Sequence, residues 1–237
     1  MFIGIIGSGT MGIGIAQVAA TSGCDVFLYD TNSAQTEKSL LSLKNTLHRL
    51  VEKQKISAER SAKIYDSIKP CSNISDFKDC DLVIEAIIEN KEIKTKVFQN
   101  VEEIVSENCV IASNTSSISI TSLSSELKNP ERFIGIHFFN PAPLMPLVEI
   151  IPGLLTKENL ADEIFSLIKS WGKTPVIAKD VPGFIVNRIA RPFYGEALRI
   201  AEEQIATPEQ IDDAMRTLGN FKMGPFELMD LIGIDVN

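Results

Sequence analysis

The chain has 237 residues, 44% of them hydrophobic and 23% charged, with a formal net charge of −8. That composition suits one large globular domain, or one and a fraction, and excludes a disordered or fibrous chain. The acidic balance argues against nucleic acid as a partner, because binding phosphates requires a basic face to release their counterions.

The opening run from Met1 to Ala20 is apolar, but the first basic side chain is Lys38, and Gly4, Gly7, Gly9, Gly12 and Gly14 interrupt it. A secretory leader would carry a basic start, so the run is read as folded chain. No later stretch approaches the roughly 18 uninterrupted apolar residues of a membrane span. Cys24, Cys71, Cys80 and Cys109 lack paired spacing and disulfide-scaffold density. They are expected as free core thiols in a reducing compartment. With only two histidines as co-ligands, no metal is expected. The expected setting is cytoplasmic, with no membrane partner.

Phe2 to Ile6 reads as a strand, Met11 to Thr21 has helical spacing, and Asp25 to Tyr29 reads as a second strand, which together predict a parallel β-α-β crossover. From Ser33 to Ile68 two long amphipathic helices, broken near Lys55 to Ser57, are expected to project as a helical hairpin. Strand candidates follow at Asp81 to Ile87, Val110 to Ala112 and Phe133 to Phe139, separated by helix-like sequence such as Lys91 to Val105. The alternation predicts an α/β fold, a doubly wound Rossmann-type sheet that is mostly parallel. Val181-Pro182-Gly183 then punctuates the chain, and only helical patterns follow. The expected division is a nucleotide-binding domain over residues 1–180 and a small all-α domain over 181–237.

Between the first strand and the first helix lies Gly7-Ser8-Gly9-Thr10-Met11-Gly12. Gly7 permits the tight turn, Gly9 lets backbone approach a pyrophosphate, and Gly12 permits close helix-strand packing. The helix start adds amide donors and positive partial charge. Asp30 ends the second strand at about the 20-residue distance where a carboxylate can bond an adenosine ribose. It would repel a 2′-phosphate, and Thr31-Asn32-Ser33 offers no Arg to neutralise one, so NAD is expected rather than NADP.

Arg132 to Pro141 ends a strand with His137, beyond the carboxyl end of an open sheet, where ligands bind. Glu149 follows in a second apolar run, Leu147 to Ile151, after a turn containing Pro141, Pro143 and Pro146. A hairpin would bring the two together, and a carboxylate against an imidazole fixes its tautomer and stabilises the imidazolium. Oxidation of an alcohol by hydride transfer needs such a base. A structural strand-end histidine is the competing reading.

GSGTMGIGIA from Gly7, SNTSS from Ser113, GIHFFNPAPLMPLVEI from Gly135, PGFIVNR from Pro182 and MGPFELMDLIG from Met223 together resemble the L-3-hydroxyacyl-CoA dehydrogenase family, 3-hydroxybutyryl-CoA dehydrogenases included, along essentially the whole chain. The resemblance implies NAD-dependent oxidation of an (S)-3-hydroxyacyl-CoA to a 3-ketoacyl-CoA, and the reverse. It makes His137 the base, Glu149 its orienting partner, and Ser116 and Asn187 polar groups around the reacting 3-oxygen and thioester. It also implies NAD contacts at Gly7, Gly9, Thr10, Met11, Gly12, Asp30, Glu89, Lys94, Ser116 and Asn140. For Ser116 a helix cap, for Asn187 a first-turn polar residue, and for Glu89 and Lys94 solvated helix-start charges are the competing readings.

Between Lys38 and Lys55 the helical arm carries Lys38, Lys44, Arg49, Lys53 and Lys55 against Glu52 alone. In the family this insertion covers the CoA moiety, which makes Lys44, Arg49 and Lys53 candidate phosphate contacts; His48 is expected as a surface residue. Family members continue some tens of residues past the GPFELMD segment. A shortened C-terminal domain is therefore expected, and with it the homodimer usual in the family comes into question. A dehydrogenase of a free hydroxy acid or sugar acid, and a non-catalytic NAD-binding relative, stand as alternatives on the same scaffold.

Overall fold

The structure is a computed structural model, and it describes residues 1–233. Eight strands, β1 (Phe2–Ile6), β2 (Asp25–Tyr29), β3 (Ile68–Cys71), β4 (Leu82–Glu85), β5 (Val110–Ser113), β6 (Phe133–Phe138), β7 (Leu147–Pro152) and β8 (Thr174–Ile177), form one sheet. Their spatial order is β3-β2-β1-β4-β5-β6-β7-β8. All neighbours are parallel except β6 and β7, which run antiparallel. The order reverses across β1 and β4, the switch point where open α/β sheets take their ligands.

The strands alternate between two cores, as a period of two requires of a sheet covered on both faces. Ile3, Ile5, Leu82, Ile84, Ile134 and Ile136 join α1 (Thr10–Thr21), α2 (Ser33–Glu52), α3 (Ala58–Asp66) and α6 (Leu160–Ser170) on one side. Ile6, Val83, Ile111 and Phe133 join α4 (Lys91–Glu102) and α5 (Ile120–Ser124) on the other. This is the doubly wound arrangement that the sequence predicts.

Sequence reading missed β3 and β8, for one reason. Both are four-residue strands at the sheet's two edges, half-exposed, and each contains a proline, Pro70 or Pro175. A short edge strand tolerates proline and lacks a long apolar run. The α2–α3 pair also corrects an expectation, because it does not project along its whole length. Thr36, Ser39, Leu40, Leu43 and Leu47 of α2 and Ile64 of α3 are buried, the apolar ones in the same core as Ile15. An apolar stripe repeating every three to four residues must be covered, and here α1 and α3 pack against the stripe of α2.

The chain divides into two compact units, Met1–Phe184 and one beginning at Ile185. The second holds α7 (Val186–Glu202), α8 (Pro208–Thr217) and α9 (Pro225–Ile232). Thr207 and Gln210 cap α8 reciprocally. The buried Asp212 carboxylate accepts from the Phe226 and Glu227 amides at the start of α9. Phe193 stacks on Phe221. Residues 234–237, where the expected shortening of the chain falls, lie outside the described residues. Among the described residues no helix is long and apolar enough to cross a membrane, and no group of three or more His, Cys, Asp and Glu could hold a metal ion.

Candidate functional site

The site assembles at the carboxyl ends of β1, β4, β5 and β6. Gly7 leaves β1 with φ +97°, and a Cβ there would lie 2.5 Å from the Ala86 carbonyl oxygen. A Cβ on Gly12 would lie 1.7 Å from the Gly7 carbonyl oxygen. Packing therefore demands both glycines. A Cβ on Gly9, by contrast, would meet nothing within 4 Å, and α1 begins there with no side-chain cap. The first-turn amides of Thr10, Met11 and Gly12 are left for an anion rather than a side chain. A backbone cradle with open space at its middle glycine fits a dinucleotide pyrophosphate.

Asp30 directly follows β2 and faces a cleft of about 580 Å³ that Gly7, Gly9, Tyr29, Ile87 and Ile88 also line. Its carboxylate already has local work. Oδ2 accepts from the Ser8 amide at 2.7 Å and the Ser8 hydroxyl at 2.9 Å, and Oδ1 from the Asn32 amide at 2.9 Å. Burial pushes the carboxyl up, but these donors outweigh it and hold it below the usual carboxylate range. Asp30 thus braces the glycine loop as well as facing the cleft.

A second, unforeseen framework lies behind Glu89 and Lys94. Lys94 is 1% exposed, so a solvated helix-start charge is the wrong description of it. Its Nζ donates to Glu85 Oε1 at 2.5 Å and lies 3.3 Å from Glu89 Oε2. Glu85, fully buried at the end of β4, also accepts from the Ile87 amide and, on Oε2, from the Ser113 hydroxyl at 2.7 Å. Glu89 Oε1 gathers the Thr115 and Ser117 hydroxyls and the Ser116 and Ser117 amides. Burial raises the Glu89 carboxyl, but the Thr115 hydroxyl, the Lys94 charge and the Ser117 and Ser116 donors bring it down. The loop carrying half-buried Ser116 is therefore held by Glu89, not free to serve as a helix cap; Ser119 caps α5 instead.

His137 lies opposite Glu149 in the β6–β7 register. The ring is 6% exposed, Glu149 is 0% exposed, and Nδ1 stands 2.7 Å from Glu149 Oε2. The hairpin read from the sequence does bring the two together. Phe139 lies 4.5 Å from the imidazole, centroid to centroid, and Phe184 lies 5.7 Å away. Asn114, just past β5, accepts from the Phe138 amide at 2.8 Å and so ties the serine loop to the strand of His137. Asn140 is exposed just after β6. Asn187 belongs to the second unit, in the first turn of α7.

The basic arm separates into two groups. Arg49 and Lys53 line a cleft of about 610 Å³ with Thr46, Leu43, Thr10 and Pro143. Lys44 stands apart from it, with Nζ 5.8 Å from the centre of the Tyr65 ring. Thr46, Arg49 and Lys53 succeed one another at helical spacing, whereas Lys44 falls on a different face. Lys44 thus does not share the cleft of the other two. His48 is exposed beside Glu52, as expected.

A family model described as "3-hydroxyacyl-CoA dehydrogenase, NAD binding domain" matches residues 2–181, and one described as "3-hydroxyacyl-CoA dehydrogenase, C-terminal domain" matches residues 183–237. The chain is 46% identical over 235 residues to the 3-hydroxyadipyl-CoA dehydrogenase of Escherichia coli K12, covering 99% of this chain and 50% of that protein. It is 44% identical over 236 residues to the 3-hydroxybutyryl-CoA dehydrogenase of Clostridioides difficile, covering 100% of this chain and 84% of that protein. The chain thus spans half the length of the first relative and most of the second. Among solved structures, the (S)-3-hydroxybutyryl-CoA dehydrogenase of Ralstonia eutropha superposes with a TM-score of 0.96 at 43% identity, covering 99% of this chain and 83% of that one.

Proposed function

Because the chain belongs to the 3-hydroxyacyl-CoA dehydrogenase family, we propose that it oxidises the 3-hydroxyl of an (S)-3-hydroxyacyl-CoA to the 3-ketoacyl-CoA and runs the reverse reaction. The observation that carries the reading is the buried His137–Glu149 pair beside a glycine loop with an open centre. Bound NAD would supply the hydride acceptor. Gly7, Gly9, Thr10, Met11, Gly12 and Asp30 would hold its pyrophosphate and adenosine half, and Glu89, Lys94, Ser116 and Asn140 its other half.

With its Nδ1–H donated to the Glu149 carboxylate, His137 keeps Nε2 as the acceptor for the substrate's hydroxyl proton. The carboxylate then stabilises the imidazolium, and in the reverse direction the same nitrogen returns the proton. Ser116 and Asn187 would bond the 3-oxygen and the thioester. Arg49 and Lys53, with Thr46, would meet the phosphates of CoA in the cleft they line. Four free cysteines support a reducing, cytoplasmic setting. Exposed apolar side chains on the second unit, among them Ile189, Leu198 and Leu218, support a homodimer through that unit.

The test mixes the protein with acetoacetyl-CoA and NADH and follows the absorbance of the reduced nicotinamide, with free acetoacetate and NADPH as the other arms. Rapid oxidation with the CoA ester and NADH alone is the expected result. Equal rates with free acetoacetate would replace the CoA reading by that of a free-acid dehydrogenase.

A further inference from the structure

The segment that closes the first unit has a feature the mechanism leaves unused. Phe184 adopts φ +45° directly after Gly183 at φ +76°. A bulky side chain in the left-handed region is strained, and such strain persists only where surrounding contacts over-determine it. Those contacts are present. Asp180 accepts from the Ser119 hydroxyl at 2.8 Å and from the Ile120 and Thr121 amides at 2.9 and 2.8 Å, which ties the segment to the start of α5. The Ala178 amide donates to the Ile150 carbonyl, in the strand that carries Glu149, and the Phe184 amide closes a turn onto Val181.

The result of this anchoring is a ring 3% exposed, packed with Ile120, Ile151 and Ala178 in one core and presented to His137 at 5.7 Å and 59°. Nothing about a domain boundary requires an aromatic residue there; a second glycine would take the backbone without strain. We propose that Phe184 is a positioning residue for His137: strained backbone holds its ring against the imidazole, which keeps Nδ1 on Glu149 and Nε2 aimed at the substrate's 3-oxygen.

The proposal rests on the dehydrogenase reading for its kinetic arm only. With two histidines in the chain, and His48 largely exposed as an internal reference, nitrogen-15 spectra of the neutral imidazole report the tautomer of His137 without any turnover. In the wild-type chain His137 is expected as a single Nδ1–H tautomer. In Phe184→Ala it becomes a mixture of tautomers, and kcat falls roughly 10- to 100-fold, as loss of sub-ångström alignment does, while the Kd for NADH stays within twofold. Phe184→Leu, which keeps an apolar side chain, recovers part of both signals, and it decides the matter should the alanine variant fail to fold. A folded variant with a single tautomer and wild-type kcat would overturn the proposal and leave Phe184 a core residue. A wild-type chain that turned over no CoA ester but showed the tautomer change would overturn the function and keep the positioning role.

Discussion

Two buried pairs of a basic and an acidic side chain, Lys94–Glu85 and His137–Glu149, lie against the same sheet, and their surroundings differ. Lys94 has Glu85 at 2.5 Å, Glu89 at 3.3 Å and the Ile87 carbonyl around it, and both carboxylates are bonded in turn to backbone and hydroxyl donors. Lys94 is thus enclosed by polar partners. His137 has Glu149 on Nδ1 and the rings of Phe139 and Phe184 nearby. The imidazole thus meets one carboxylate and two aromatic rings, where the ammonium meets two carboxylates and a carbonyl. Under the proposed function, similar burial serves a scaffold in one place and a moving proton in the other.

The sharpest way to break that contrast is His137→Gln. If the imidazole moves the proton, kcat falls between about 10² and 10⁴-fold with NADH binding retained, as for loss of a general acid–base. Glu149→Gln should fall in the same direction. The double variant should cost far less than the product of the singles, because the two residues act as a unit. Steady-state kinetics with a 3-hydroxyacyl-CoA measure this, and wild-type kcat in His137→Gln would end the assigned mechanism.

Lys94→Met tests the other half. It strands the buried Glu85 carboxylate without its counter-charge, a change that costs about 3–5 kcal/mol in buried pairs. Urea unfolding should show a loss of that order, and adding Glu85→Gln to Lys94→Met should restore much of it. A Lys94→Met protein as stable as the wild type would mean that the framework is not held by charge.

The smallest effect belongs to the exposed cations. Arg49→Ala with Lys53→Ala should raise KM for the CoA ester several-fold, with roughly 0.2–1 kcal/mol from each surface charge. The penalty should shrink as salt rises. Lys44→Ala, apart over Tyr65, should leave that KM within twofold; an equal rise would put Lys44 back beside the substrate.

The His137–Glu149 pairing and the glycine loop were legible because their signals are local. Gly7, Gly9 and Gly12 sit at fixed spacing between one strand and one helix, and His137 and Glu149 are joined by a single hairpin whose register follows from the alternation of its strands. Glu85 and Asp180 gave no such signal, and Ser113 and Thr115 only that of a segment resembling the family. Each reads alone as an unremarkable polar residue at a strand end or in a turn. Only the parallel stacking of β4 beside β5, pairing Glu85 with Ser113, turns them into one framework. Thr46 was overlooked because charge drew attention to the lysines, whereas the direction a side chain takes from α2 decides which of them share a cleft.

By itself, then, the sequence determined most of the elements, their order along the chain and the pairing of His137 with Glu149, since these depend on spacings of two to about twenty residues. Tertiary structure decided the rest: that Lys94 is buried between carboxylates, that α2 lies along the domain, and that Phe184 reaches a histidine 47 positions earlier. Those facts depend on which distant segments share a face of the sheet. Nothing in the local pattern of a segment says which neighbour will cover it.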